Sequence, residues 1–173
     1  TLSDDDIEIN VEKGVVYVSI SDKLLFNSGS FTVTTRAKKV LEKIAKVISD
    51  KPDLEFMVEG HTDNMLIDQE KAAETIPGVL DNWDLSVKRA TSVVRILQND
   101  YGVDPTKLVA AGRSFYMPIA DNDSSVSRAV NRRTRIIVLP KLDQFTKLIE
   151  EGMSMNVPAT GPSNTISSDN KPD

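Results

Sequence analysis

Cysteine is absent from this 173-residue chain, and histidine and tryptophan each occur once. Without cysteine there is no disulfide framework and no thiolate metal site. His61 stands alone, which leaves a metal centre short of ligands. No Gly-x-Ser-x-Gly turn accompanies it, so a Ser/His/Asp hydrolase arrangement has no visible scaffold. A phosphate-cradling Gly-x-x-x-x-Gly-Lys loop and a dinucleotide fingerprint are missing as well. No hydrophobic run approaches the length of a membrane span. Basic residues are outnumbered, 21 against 26 acidic ones, for a formal net charge of −5. That balance argues against a general binder of nucleic acid or of an anionic membrane. The chain begins at Thr1 rather than Met and reads as a fragment or mature segment, with any targeting signal or membrane anchor expected upstream.

What is present suits one soluble domain with appendages: 39% hydrophobic and 27% charged residues. The acidic opening, residues 1–10, reads as loosely held. Val15-Val16-Tyr17-Val18-Ser19-Ile20 is a β-branched strand. After a loop at residues 26–31, Thr34 or Thr35 caps a helix whose apolar stripe is Ala37, Val40, Leu41, Ile44, Val47 and Ile48. Leu54-Glu55-Phe56-Met57-Val58-Glu59 alternates like a strand with one wet face, and Gly60-His61-Thr62-Asp63-Asn64 turns away from it. Residues 65–81 are irregular, with a short helix near 69–74 and a break at Pro77-Gly78. A second long helix starts near Asn82, its expected cap, runs to about Tyr101 with Ala90, Val93, Val94, Leu97 and Tyr101 on one stripe, and is closed by Gly102. Leu108-Val109-Ala110-Ala111-Gly112 is a third strand, residues 114–130 are mostly loop, and residues 134–139 form a fourth strand. Beyond Pro140 an amphipathic helix carries Leu142, Phe145, Leu148, Ile149 and Met153, and a Ser/Asn/Pro-rich tail follows. The expectation is an α+β domain, two main helices on a small mixed four-stranded sheet, with an extra C-terminal helix. Its divisions are a flexible lead over 1–8, the domain over 9–153 and a disordered polar tail over 154–173.

Three charged clusters stand out. Asp63 sits in the turn after a strand, where an Asp commonly bonds its own backbone; with Glu59 and His61 it is too sparse a set for a metal. Arg89 lies two turns into the second helix, on the side shared by Asn82, Leu85 and Ser86. It reads either as a solvated or salt-bridged charge or as a donor waiting for an anion. Arg128-Ala129-Val130-Asn131-Arg132-Arg133 precedes the fourth strand, and reads either as a charged edge or as donors to a pocket. Strand alternation would let only one of Arg132 and Arg133 face a given site.

In this order, Leu25-Phe26-Asn27-Ser28-Gly29-Ser30, Gly60-His61-Thr62-Asp63-Asn64, Asn82-Trp83-Asp84-Leu85-Ser86-Val87-Lys88-Arg89-Ala90, Gly112-Arg113-Ser114 and Asn131-Arg132-Arg133-Thr134 resemble the OmpA-like peptidoglycan-associated domain, the family that includes MotB and Pal. The resemblance spans roughly residues 15–139. It implies a pocket for the peptide stem of peptidoglycan, in which an Asp and an Arg hold diaminopimelate; here they are Asp63 and Arg89. Asp63 would accept from the ligand ammonium, and Arg89 would fork two donors onto its carboxylate. Thr62, Asn82, Leu85, Asn131 and Arg132 match further pocket positions. The link over 64–81 is longer than in many such domains and is reminiscent of MotB; covering the pocket, binding a partner and forming a homodimer contact are the uses open to it. The resemblance implies no enzyme and no cofactor, and a periplasmic place tethered to the outer membrane through a segment outside this chain. A wall-anchored flagellar stator, tethered instead to the inner membrane, is the alternative, and a cell-wall hydrolase the third.

Overall fold

The computed structural model describes residues 7–12, 15–27, 30–51 and 53–139. The expected C-terminal helix and polar tail lie outside them, as does most of the expected lead. The elements run β1 (Ile7–Glu12), β2 (Val15–Ser21), α1 (Asp22–Leu25), α2 (Thr35–Ser49), β3 (Glu55–His61), α3 (Gln69–Thr75), α4 (Asn82–Asn99), a 3-10 turn (Pro105–Lys107), β4 (Leu108–Gly112), α5 (Ser125–Asn131) and β5 (Arg133–Leu139). The fold is α+β, with five strands rather than four, ordered β1-β2-β5-β3-β4. The additional strand is β1, in the segment read as loose. Ile7, Ile9 and Val11 alternate with polar residues, and β1 pairs antiparallel with β2 from Ile7↔Ile20 to Glu12↔Val15. Neighbouring acidic residues had masked a period-two pattern.

The sheet is mixed because β3 runs parallel to β4 and antiparallel to β5. On one face, Ile20, Phe56, Val58 and Ile136 meet Ala37, Leu41 and Ile48 of α2 and Ala90, Val93 and Leu97 of α4 in a single apolar core. This is the burial that the helical stripes called for, except at Val47, expected on the buried stripe but 59% exposed. Helix ends are secured by side chains: Thr34 Oγ1 accepts from Ala37 N at 3.1 Å and donates to Leu24 O at 2.7 Å. Asp81, not Asn82, caps α4, accepting from Trp83 N and Asp84 N. Asn82 is instead the first helical residue and is buried, because its amide is used elsewhere. Gly102, at φ 67°, closes the helix with a bond from its N–H to Gln98 O.

Two short helices are unexpected: α1 lies between the first expected strand and the loop after it, and α5 in a stretch read mostly as loop. Ser21 caps α1 through Leu24 N, and Ser124 caps α5 through Ser127 N. The long link carries α3 as expected and builds its own small core: Ala72, Ile76 and Val79, joined by Phe31, Ile67 and Leu85. The alternation in β3 misled in one respect. Glu59, placed on a wet face, is buried, because Arg113 and His61 enclose it.

Candidate functional site

Four charges meet where the C-terminal end of β3, the middle of α4, the start of α1 and the end of α5 converge. Asp22, Asp63, Arg89 and Arg132 all line one cleft of about 750 Å³, with Phe26 and Met65 among its apolar walls. Asp63 Oδ2 accepts from Arg132 Nη1 at 2.5 Å, and Asp63 Oδ1 accepts from Met65 N at 3.1 Å. The second bond is the Asx-type turn that this residue favours, and it fixes the carboxylate. Arg89 Nη2 lies 3.1 Å from Asp22 Oδ2, and Arg89 Nε donates to Ser30 O at 3.2 Å. The guanidinium stands 5.2 Å from the centre of the Phe26 ring. Exposure separates the two cations: the Arg89 side chain is 6% exposed and that of Arg132 is 36%.

Burial shapes the Asp22–Arg89 pair. It raises the Asp22 carboxyl pKa, against the pull of Arg89 and Arg132. It lowers that of Arg89, against the opposing effect of Asp22. Each group would be costly to leave alone, and each is the other's compensation.

Of the residues expected at the site, Asp63, Arg89 and Arg132 reach the cleft. The others serve behind it. Thr62 is buried; its N–H donates to Ser114 O at 2.9 Å and its Oγ1 to Asp63 O at 3.1 Å. Asn82 Nδ2 donates to Met65 O at 3.0 Å and to Asp63 O at 3.5 Å, tying the Asp63 turn to the start of α4. Leu85 packs into the core of the link. Asn131 is fully buried: its Oδ1 accepts from Ile119 N and Ala120 N, and its Nδ2 donates to Ala120 O and Asn122 Oδ1. Arg132 and Arg133 separate for a reason other than strand alternation. Arg132 is the C-cap of α5, whereas Arg133 opens β5 and donates to Met117 O at 3.0 Å.

Asp22 is the residue that sequence reading missed. Its signal was slight: Ser21 as the cap of a four-residue helix, directly after a strand. Only the fold brings that position to Arg89.

His61 takes no part in the cleft. It is buried on the sheet face away from the helices, where Nε2 lies 2.9 Å from Glu59 Oε1. Arg113 Nε donates to Glu59 Oε2 at 2.7 Å. Among the described residues no group of three His, Cys, Asp or Glu side chains could hold a metal. Burial works to raise the Glu59 pKa, but the bonds from His61 and Arg113 prevail and hold it at about 2, against an ordinary 4.5. Burial also lowers the His61 pKa from its ordinary 6.5, because the imidazolium is poorly solvated there, although Glu59 favours it.

Both shifts weaken the fold in acid. Below 6.5 the unfolded chain takes up the His61 proton more readily than the folded one. The Glu59 contribution is complete above 4.5 and is lost as pH falls to about 2. Asp22, with its raised pKa, acts in the opposite sense. For Glu59 the stake is about 3 kcal/mol. Urea unfolding at neutral pH and in steps down to pH 2 should show a steep acid limb that Glu59→Gln flattens. Parallel curves for the two proteins would refute this account.

The fold and the cleft define an α+β binding domain, in which a small sheet-and-helix scaffold holds two carboxylates and two guanidiniums around one opening. The chain belongs to the OmpA family, whose model matches residues 25–132. It is 27% identical over 135 residues to Motility protein B of Bacillus subtilis, covering 78% of this chain and 49% of that protein. With outer membrane protein Omp38 of Acinetobacter baumannii it shares 31% identity over 137 residues, 79% of this chain and 35% of the relative. This chain thus spans half or less of the length of these curated relatives. Among solved structures, the cell wall anchor of the T6SS from Pseudomonas aeruginosa superposes with a TM-score of 0.65 at 32% identity, covering 79% of this chain and 89% of that one.

Proposed function

We propose that this domain holds peptidoglycan without covalent chemistry, through the free end of diaminopimelate in the peptide stem. The observation that carries the reading is the shared cleft of Asp63 and Arg89, one of each sign and both held in place by protein partners. A diaminopimelate end presents an ammonium and a carboxylate. Asp63 accepts from the ammonium, and the planar fork of Arg89 receives the carboxylate in a bidentate grip. Arg132, more exposed, steers the carboxylate toward the cleft. Asp22 is the internal carboxylate that keeps Arg89 charged and oriented until the ligand arrives.

The domain works in the periplasm as an anchor to the wall. Its likeness to Omp38 and to a cell wall anchor supports tethering of an outer-membrane protein or lipoprotein. Its likeness to Motility protein B, with the structured 64–81 link, supports anchoring of a stator. The reading is binding rather than hydrolysis, because the two carboxylates of the cleft, Asp22 and Asp63, are each engaged by an arginine, Arg89 and Arg132.

The test is retention on purified walls that differ at one stem residue. Diaminopimelate walls should retain the protein, and free diaminopimelate should release it. Walls with lysine in the stem lack the second carboxylate and should retain it weakly. Equal retention on both walls, unmoved by free diaminopimelate, would dismiss the proposal.

A further inference from the structure

A second cleft lies close to the first: Leu66 lines it, and its chain neighbour Met65 lines the charged one. It encloses about 300 Å³, with Trp83, Phe115 and Tyr116 on its wall and Ser114 among its lining. Trp83 and Tyr116 ring centres lie 5.5 Å apart, and Tyr116 stacks on Phe115 at 4.5 Å. These rings are not core residues that happen to reach the surface. Trp83 is 47% exposed and Tyr116 61%, although removing aromatic surface from water is favourable.

The polar features of the cleft are as specific. Ser114 is 1% exposed, and its Oγ has no hydrogen-bond partner among the described residues. It also adopts φ 52°, a left-handed backbone that a serine rarely takes. A buried unpaired hydroxyl on a strained backbone is costly, and such costs concentrate where a ligand makes use of them. Gln69, Asp81 and Asn82 also line it, Asn82 buried with its amide nitrogen committed to Met65 O and Asp63 O.

Among the described residues no lysine or arginine lines this cleft, so it offers no cation to a carboxylate. Its electron-rich ring faces call for a ligand with a polarised C–H face, and the polar side chains of its lining for one with hydroxyl or amide groups around the edge. A neutral pyranose has both, and the volume lies at the small end of ligand pockets. We propose that this cleft is a sugar subsite, taking N-acetylated hexosamine rings of a β-1,4-linked glycan. The proposal rests on reading the wall as the ligand. Asn82 lines the aromatic cleft and bonds to Met65 O, and Met65 lines the charged one, so a glycan and its peptide stem can occupy the two neighbouring clefts.

Trp83 is the only tryptophan in the chain, so its fluorescence reports on this cleft alone. Titration with the β-1,4-linked tetramer of N-acetylglucosamine should change the emission saturably. Tyr116→Ala should weaken that response about two- to tenfold, the scale of one aromatic contact. Asp63→Ala should leave it intact, and Tyr116→Ala should leave binding of free diaminopimelate intact; circular dichroism establishes that both variants are folded. A protein that binds diaminopimelate but gives no emission change and no calorimetric heat with the tetramer overturns the sugar subsite and spares the charged cleft. The reverse pattern overturns the charged cleft and spares this one. Self-association that Tyr116→Ala abolishes, with no response to sugar, would make the aromatic face a contact between copies and overturn the proposal.

Discussion

Asp63→Ala and Arg89→Ala should each lose most of their retention on diaminopimelate peptidoglycan while keeping the fold. Each removes one side of a charge-assisted contact and leaves the opposite ligand charge unpaired. Truncating one partner of a buried charge pair costs roughly 2–5 kcal/mol. The open mouth of the cleft, with Arg132 36% exposed, moves the expectation to the lower end, a loss of about thirtyfold. The two variants differ in their effect on stability. Asp63→Ala frees Arg132, which solvent can reach. Arg89→Ala strands Asp22, whose buried carboxyl then lacks its partner and becomes easier to protonate. Arg89→Lys keeps the charge but not the fork, and should bind more weakly than wild type. Arg95→Ala, exposed and almost two turns further along α4, is the control. If both alanine variants are folded by circular dichroism and sediment with the wall like wild type, the cleft does not hold the stem.

Gly60→Ala should be among the most damaging single-methyl changes available to this domain. A Cβ at Gly60 would lie 2.2 Å from Ser86 O and 2.9 Å from Ser86 C, both backbone atoms of α4. At Gly112 it would lie 2.3 Å from Ser86 Oγ and 2.8 Å from Val87 N. The two glycines are register partners on the parallel strands β3 and β4, at the place where α4 lies closest to the sheet. No rotamer change relieves a clash with helix backbone, so α4 itself must move. Its packing through Ala90, Val93 and Leu97 resists that. Overpacking of this kind costs about 3 kcal/mol, which for a domain of this size lowers the melting temperature by roughly 10 °C. Because α4 also carries Arg89, wall retention should fall with it. Gly102→Ala is the comparison: its Cβ would meet nothing within 4 Å, and only the left-handed backbone opposes it, at about 1–2 kcal/mol. Calorimetric melting of the three proteins decides the matter; a Gly60→Ala protein as stable as Gly102→Ala would mean the helix does not sit where it is described.

The periodic elements were legible in the chain because periodicity is a local record of burial. The stripes of Ala37–Ile48 and Ala90–Leu97, Val47 apart, and the short helix in the link appear where their spacing places them. The elements that escaped are those whose composition argues against them. β1 is interleaved with charge, and α5 lies in a run rich in Asn, Asp and Ser, of which Ser124 proves to be the cap. Burial of charge was not legible at all. Glu59 looks wet in an alternating strand and becomes dry because Arg113, 54 residues away, folds over it.

The candidate site divides in the same way. The sequence by itself determined which residue types stood ready: an acid in a turn after a strand, an arginine inside a helix and an arginine before the last strand, in an order that resembles one family. It also determined that no cysteine or second histidine was present to do other chemistry. Only the tertiary structure decided the pairings. It gave Arg89 to Asp22 and Asp63 to Arg132, set Thr62, Asn82 and Asn131 behind the cleft as bracing, and left Trp83 and Tyr116 in solvent beside an unpaired Ser114 hydroxyl. The physical reason is that capping and amphipathicity act within a few residues, whereas charge pairing acts through space. Arg132 and Asp63 lie 69 positions apart in the chain, and nothing local to either one names the other.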